Sequence, residues 1–207
     1  MVYTTLNKIH TLGSRQVEWE KLLQALNKSH PDDEKISLVQ LLKISGLHFT
    51  LGCCQLIPEF DKHWRLYAVW CARQVVWSRQ NNKEHLFAIA VAERFANGQA
   101  TQAEFEEAQA LMAYPAMSCT EGNPGMTAAA TTHKIAGLAA QIAAASASAG
   151  VAHYAGLKAR LALPLTGNEM ADIGNHAEAY DSAWREARVL AHKAQEREFI
   201  RVVTALR

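Results

Sequence analysis

Histidine is the first residue type with which this sequence could bind a metal ion. Nine histidines occur in the 207 residues, and imidazole is the commonest metal ligand near neutral pH. The first group of three is widely spaced in the sequence: His48, His63 and His85. The second group could converge only if three secondary-structure elements met: His133, His153 and His176. We therefore predict surface or hydrogen-bonded core histidines and no metal site.

The four cysteines are the candidate nucleophiles. Cys119 lies between Ser118 and Thr120 in a predicted loop, and a loop thiol becomes a nucleophile when a histidine is positioned beside it. Nothing in the sequence supplies that histidine. The other three fall on apolar helical stretches and are predicted to be core thiols: Cys53, Cys54 and Cys71. We expect no catalytic cysteine.

An aromatic series and an acidic run also have spacing that could suggest a site. The aromatic residues recur at helical spacing, which core packing explains more often than a cofactor slot: Trp64, Tyr67, Trp70 and Trp77. The acidic residues open a predicted helix, where the macrodipole favours carboxylates: Glu104, Glu106 and Glu107. The sequence has no phosphate-binding Gly-rich loop, dinucleotide fingerprint, His-Glu-x-x-His, Cys-x-x-Cys or Gly-x-Ser-x-Gly motif. We expect no cofactor and no assembled catalytic site.

Composition limits the class of protein. The formal net charge is +1 with charges spread evenly, and 49% of the residues are hydrophobic. Direct nucleic-acid binding is not expected, because it usually requires a basic surface that neutralises phosphates. The cysteines show no disulfide framework, and the N-terminus lacks a signal peptide. The alanine-rich tract is too weakly apolar for a membrane span of about 20 residues. We therefore expect a soluble, cytoplasmic protein.

Helix signals dominate the N-terminal half. Ser37 and Thr101 each begin a capping box, and Gly98 provides a left-handed helix stop. The segment 61–78 is apolar on nearly every side, which predicts a central helix. We expect Pro115 to close this half of the chain.

The C-terminal half has smaller side chains. From residue 127 to 163 the chain consists mainly of Ala, Ser, Thr and Gly, which lets helices pack closely. We predict helices broken near Gly150 or Gly156 and a second loop over 164–175. A last helix is predicted over 177–206, and it either bends or changes packing partners near Gln195. The predicted fold is an all-α bundle of about eight to ten helices. Residues 1–114 and 115–207 are expected to form two subdomains of one globular unit.

Two segments carry a resemblance to a known group of proteins. The chain contains RLYAVWCARQV at residues 65–75 and AERFANGQAT at residues 92–101, followed by an alanine-rich half. It resembles uncharacterised phage and prophage helical proteins that carry "RLYAVWCARQV" and "AERFANGxAT" segments. The likeness covers most of residues 5–113 and about the last twenty residues, whereas residues 114–176 depart from the pattern. The resemblance implies a mobile-element origin and a helical fold, but it implies no activity.

Protein binding is the leading functional hypothesis. The chain is expected to be a phage or prophage accessory protein that binds a host or phage protein and inhibits a component of host defence or replication. The expected contact residues lie in the two predicted loops and beside them: Met117, Met126, Asn168 and Met170. The three methionines have adaptable side chains that suit binding surfaces. Two alternatives stay open. One is a small helical enzyme or ligand-binding protein with an interhelical pocket, and the other is a self-assembling protein whose alanine faces mediate a homo-oligomer.

Overall fold

The structure is a computed structural model that describes residues 1–13, 16–76, 83–118 and 124–206. Within these ranges the chain forms nine α-helices and one two-stranded sheet, and the predicted all-α class is confirmed. The helices are α1 (Leu6–His10), α2 (Gln16–Ala25), α3 (Leu38–Cys53), α4 (Asp61–Val76), α5 (Lys83–Ala96), α6 (Gln102–Ser118), α7 (Pro124–Thr131), α8 (Ala136–Ala162) and α9 (Glu169–Ala205). Two 3₁₀ turns, Cys54–Leu56 and Pro58–Phe60, connect α3 to α4.

A small sheet, which the sequence did not predict, ties the N-terminus to the body. Strand β1 (Tyr3–Thr5) pairs antiparallel with β2 (Lys35–Ser37), and Thr4 lies opposite Ile36. Three-residue strands are too short to show an alternating pattern, and they are joined through two helices instead of a tight hairpin turn. The sheet is therefore a feature of tertiary packing that leaves the helical class unchanged.

The predicted caps are present in the structure. The Ser37 hydroxyl accepts a hydrogen bond from the Gln40 amide at 3.1 Å. The Thr101 amide donates to the Glu104 carboxylate at 2.7 Å, while the Glu104 amide donates to the Thr101 hydroxyl at 3.2 Å. Gly98 has φ 70°, so it ends α5 in the left-handed conformation that favours glycine. Local sequence therefore determines where these helices begin and end.

Helix α4 is the centre of the core, as predicted. Trp64 and Tyr67 are fully buried, and both rings pack against Phe199 of α9. The same core cluster contains Leu6 from the N-terminus and Ala143 from α8. Side chains from both ends of the chain thus share one hydrophobic interior.

Arg65 is a buried cation that fixes the connection between α7 and α8. Its side chain is 5% exposed, and its guanidinium donates to the carbonyls of Thr131 at 2.8 Å and His133 at 2.9 Å. It also lies over the Phe105 ring, 4.5 Å from the centroid. Burial lowers the pKa of Arg65 to about 10, so the guanidinium stays protonated at neutral pH and can satisfy carbonyls that α7 leaves unpaired at its end.

The alanine faces of α8 are buried inside the molecule. The buried alanines pack in the same core as α4 and the N-terminal helices: Ala136, Ala139, Ala140, Ala143, Ala144 and Ala147. At Gly137 the approach is so close that an added Cβ would lie 2.6 Å from the carbonyl carbon of Cys54. These faces are therefore unavailable for the alanine-mediated oligomer that the sequence left open.

Three predicted boundaries are wrong. Helix α8 runs through Gly150 and Gly156 without a break, and the interruption of the alanine-rich tract falls instead at residues 132–135. Helix α6 continues past Pro115 to Ser118. Helix α9 begins at Glu169, eight residues earlier than predicted, because Asn168 caps it. Packing between long helices outweighs the local signals at these glycines and at the proline.

Gln195 stands where the sequence predicted a bend or a change of packing partners. Helix α9 is one helix through this position, but only beyond it do its side chains, Phe199 and Val203, enter the main core. Gln195 has a buried side chain, whose amide nitrogen donates to the Ala144 carbonyl at 2.8 Å. Its backbone carbonyl accepts a hydrogen bond from the Tyr67 hydroxyl at 3.1 Å. The polar residue that interrupts the apolar stripe is therefore satisfied inside the core and joins α4, α8 and α9.

Candidate functional site

Helices α8 and α9 form an antiparallel pair, the α8–α9 hairpin, whose tip is the connection between them. Between Glu169 and Ala194, Asp172 is the one buried residue of α9, and this part of the helix packs chiefly on α8. In contrast, Phe199 and Val203 near the C-terminus of α9 enter the main core. The hairpin is thus held by the core at its base and exposed to solvent along most of its length.

A compact network shapes the loop at the tip. The Asp172 carboxylate accepts hydrogen bonds from the Thr166 amide at 2.9 Å, from the Thr166 hydroxyl at 2.6 Å and from the Gly167 amide at 3.2 Å. The hydrogen bonds from Thr166 and Gly167 lower the pKa of Asp172. The Asn168 side-chain oxygen accepts from the Ala171 amide at 3.3 Å. The loop is therefore ordered by its own polar groups.

Large apolar side chains surround this ordered loop and face solvent. Leu161 is 82% exposed, Leu165 and Met170 are each 79% exposed, and Ile173 is 60% exposed. Single exposed apolar residues are normal, but a cluster on a rigid support is typical of a surface that another molecule covers. The tip is therefore the strongest candidate contact surface of the described chain.

The tip cleft is a cavity of about 790 Å³ beside this loop, between α8 and α9. The Tyr180 hydroxyl and the His153 Nδ1 atom lie 2.7 Å apart across it, and the Tyr180 ring covers Gly156. Three carboxylates and one guanidinium line the cleft together with apolar walls: Glu169, Asp172, Asp181, Arg160, Leu157, Leu165, Ile173 and Ala177. Its charged groups are mainly acidic.

The base cleft is a second cavity, of about 910 Å³, where the hairpin meets the body. Arg188 lies over the Trp184 ring, 4.8 Å from the centroid, and His192 contacts the Glu196 carboxylate at 3.4 Å. The lining combines two guanidiniums, one ammonium and one carboxylate with an apolar wall: Arg185, Arg188, Lys193, Glu196, Met126, Ile142, Ala145, Ala149, Trp184 and Val189. Its charged groups are mainly basic.

Both clefts open along one edge of α9. Residues three or four positions apart lie on the same side of a helix. Steps of this size lead from Ile173 in the tip cleft through Ala177 and Asp181 to Trp184 and Arg188 in the base cleft. The edge thus carries an acidic half near the tip and a basic half near the base.

The predicted contact residues fall at different places. Met170 is at the tip, and Met126, in α7, lines the base cleft. Asn168 caps α9 with its side-chain oxygen. Met117 is near the end of α6, and its side chain lies outside the described part of the chain. The sequence analysis did not include the exposed leucines beside Pro164 among the contact residues, although apolar residues next to a loop rich in Pro and Gly could have indicated them.

The thiols that the structure describes cannot act as nucleophiles in their resting form. Cys53, Cys54 and Cys71 are buried, as predicted for core thiols. Burial raises the pKa of Cys53 to about 12, and it raises the pKa values of Cys54 and Cys71 as well. All three stay protonated at neutral pH, whereas thiol attack requires the thiolate. Cys119 lies outside the described residues.

No group of three or more His, Cys, Asp or Glu side chains converges on a potential metal position in the described ranges. None of the helices there combines the length and apolar character needed to cross a bilayer. Comparison with protein-family models, with curated proteins and with solved structures found no match.

Proposed function

We propose that this protein acts by binding another protein through the tip of the α8–α9 hairpin. The observation that carries the proposal is the exposure of Leu161, Leu165, Met170 and Ile173 around a loop held rigid by Asp172. A preordered apolar surface loses little conformational entropy on binding, which favours association. The mobile-element origin that the resemblance implies is consistent with an accessory role, and we propose a component of host defence or replication as the target.

The tip is well suited to a protein target because its apolar residues project from a narrow support. Leu165 lies in the connection, and Met170 lies in the first turn of α9. Large apolar side chains that fill a partner's pocket dominate binding energies at many interfaces. The acidic groups of the tip cleft, Glu169 and Asp181, supply a polar rim that would select partners carrying basic residues.

Affinity capture with matched variants tests this proposal. The double variant Leu165→Ser with Met170→Ser removes two exposed anchors, and neither side chain belongs to the core. The control is Val17→Ser on α2, where another exposed apolar residue lies far from the hairpin in sequence. We expect wild type and the control to retain a stoichiometric partner from bacterial lysate and the double variant to lose it. Equal recovery by all three proteins would contradict the proposal.

The base cleft supports a second candidate function, the binding of a small amphipathic anion. Its wall is largely apolar, with Trp184 on one side, and its charged groups are mainly Arg185, Arg188 and Lys193. Such a cavity suits a ligand with an apolar body and a negative group. Anilinonaphthalene sulfonate is a suitable probe, and Ala145→Trp would fill the cleft from an exposed position. Unchanged probe fluorescence in that variant would exclude this site.

A further inference from the structure

The exposed edge of α9, which we call the hairpin edge, is complementary in charge to a second, antiparallel copy of itself. On α9 the acidic groups Glu178 and Asp181 precede the basic groups Arg185 and Arg188. All four side chains are exposed. No ion pair involves any of them in the part of the chain that the structure describes. An antiparallel copy of the same helix would present the opposite order of charges to this edge.

We propose that a second copy of this chain covers the hairpin edge in the free protein, as an antiparallel two-fold symmetric dimer. The inference rests on the proposed function, because it names the occupant of the same hairpin when no target is bound. With the two-fold axis passing Ala183, residues equally far before and after that position face each other. Asp181 then faces Arg185 of the second copy, and Glu178 faces Arg188.

The same symmetry places apolar groups opposite one another. Ala177 of one copy faces Val189 of the other, and the tip of each hairpin reaches the base cleft of its partner. In this register the exposed Ile173 faces Lys193 of the second copy and the exposed Met170 faces Glu196, two residues that line its base cleft. The acidic half of each copy therefore faces the basic half of the other, so the same contact occurs twice, as a closed two-fold interface requires.

The contact area fits a weak, reversible dimer. From Glu169 to Lys193, α9 rises about 36 Å at 1.5 Å per residue. The edge of this one helix, about 10 Å wide, presents about 360 Å² on each copy over this length. Standard specific interfaces bury roughly 800 Å² per partner, whereas transient associations bury less. A second copy lying along the whole edge would therefore form a dimer that dissociates readily on dilution.

Self-pairing would also regulate the proposed function. Met170 and Ile173 cannot contact a target while they lie in the base cleft of a second copy. A target at the tip must therefore compete with the dimer, and dilution should favour target binding by mass action. A dependence of target binding on protein concentration would therefore distinguish a surface covered by a second copy from one that is always exposed.

Charge reversal tests the dimer with two single variants and their mixture. Asp181→Arg places two arginines opposite each other, and Arg185→Asp places two aspartates opposite each other. Each variant alone should dimerise at least about tenfold more weakly than wild type, because attraction becomes repulsion twice. An equimolar mixture should recover wild-type association, since each Arg then faces an Asp. The control Glu186→Arg, 100° around the helix from Arg185, should leave association unchanged.

Sedimentation equilibrium measures these association constants with the full chain. Wild type monomeric up to about 0.1 mM would overturn the inference, and so would failure of the mixture to associate more tightly than its two components. These outcomes are distinct from failure of the proposed function. A monomeric protein could still capture a target through Leu165 and Met170, whereas a dimer that captures nothing would contradict only the proposed function.

Discussion

Replacing Gly137 by alanine is the sharpest test of how α8 is packed. An added Cβ at this position would lie 2.6 Å from the carbonyl carbon of Cys54 and would also collide with the backbone nitrogen of Gln55. The contacted atoms belong to backbone, so no side-chain rotation can relieve the overlap. Helix α8 would have to move away from the 3₁₀ turn that follows α3.

The two energetic effects of this substitution oppose each other. Alanine improves helix propensity by about 1 kcal/mol relative to glycine. Overpacking a close contact costs about 1–3 kcal/mol, with the upper end expected where backbone must shift. We therefore expect Gly137→Ala to lower the free energy of unfolding by about 2 kcal/mol.

Gly174→Ala is the matched control, because this glycine lies in α9 with no atom within 4 Å of the added Cβ. It should raise stability by about 0.4–1 kcal/mol, since alanine reduces the entropy of the unfolded chain. Urea denaturation followed by circular dichroism gives both values. A Gly137→Ala variant as stable as wild type would show that α8 does not pack this closely against the backbone of Cys54 and Gln55.

Three further perturbations test other parts of the structure. Arg65→Lys should destabilise the chain by about 1–3 kcal/mol in urea denaturation, because lysine lacks the second nitrogen that donates to the Lys134 carbonyl and the planar group that lies over the Phe105 ring. Arg73→Lys, exposed on the same helix, should change stability by under about 0.5 kcal/mol. Hydrogen bonds from Thr101 and Arg94 lower the pKa of Glu104 to about 2, so the Glu104 carboxylate contributes to stability above pH 4.5 and this contribution is lost as the pH falls toward 2. The difference in unfolding free energy between wild type and Glu104→Gln should therefore shrink over that pH range in acid titration. Gln195→Leu removes the bond to the Ala144 carbonyl and should cost about 1–3 kcal/mol by thermal denaturation.

Sequence patterns predicted the N-terminal half well because its signals are local. The hydroxyl of Ser37 and the left-handed backbone of Gly98 each act within a few residues of their own position. The role of Arg65 could not be predicted in this way. Its carbonyl partners, Thr131 and His133, come from a distant part of the sequence and meet it only after folding.

The alanine-rich half was harder to predict for a physical reason. Gly150 and Gly156 are helix-breaking signals in isolation, but α8 gains its stability from close packing against neighbouring helices. Gly156 in particular makes room for the Tyr180 ring. A glycine that admits a neighbouring group cannot be distinguished from a glycine that ends a helix without knowing what lies opposite.

The candidate site was located only in part. Met170 was expected to be a contact residue, and it lies on the exposed tip. The acidic and basic halves of the α9 edge could not be recognised from composition, because their charges cancel when they are summed along the sequence. Their separation becomes visible only when Asp181 and Arg188 are placed on one edge of the helix.

The most direct test of the central claim is site-specific photo-crosslinking from the tip of the hairpin in living bacteria. A photoreactive amino acid at Met170 should give a discrete adduct containing a second protein chain, either a target or another copy. The same amino acid at Val17, another exposed apolar position, should give no such adduct. If Met170 produced no more adduct than Val17, the hairpin tip would not be a protein-binding surface, and the account of its function would be wrong.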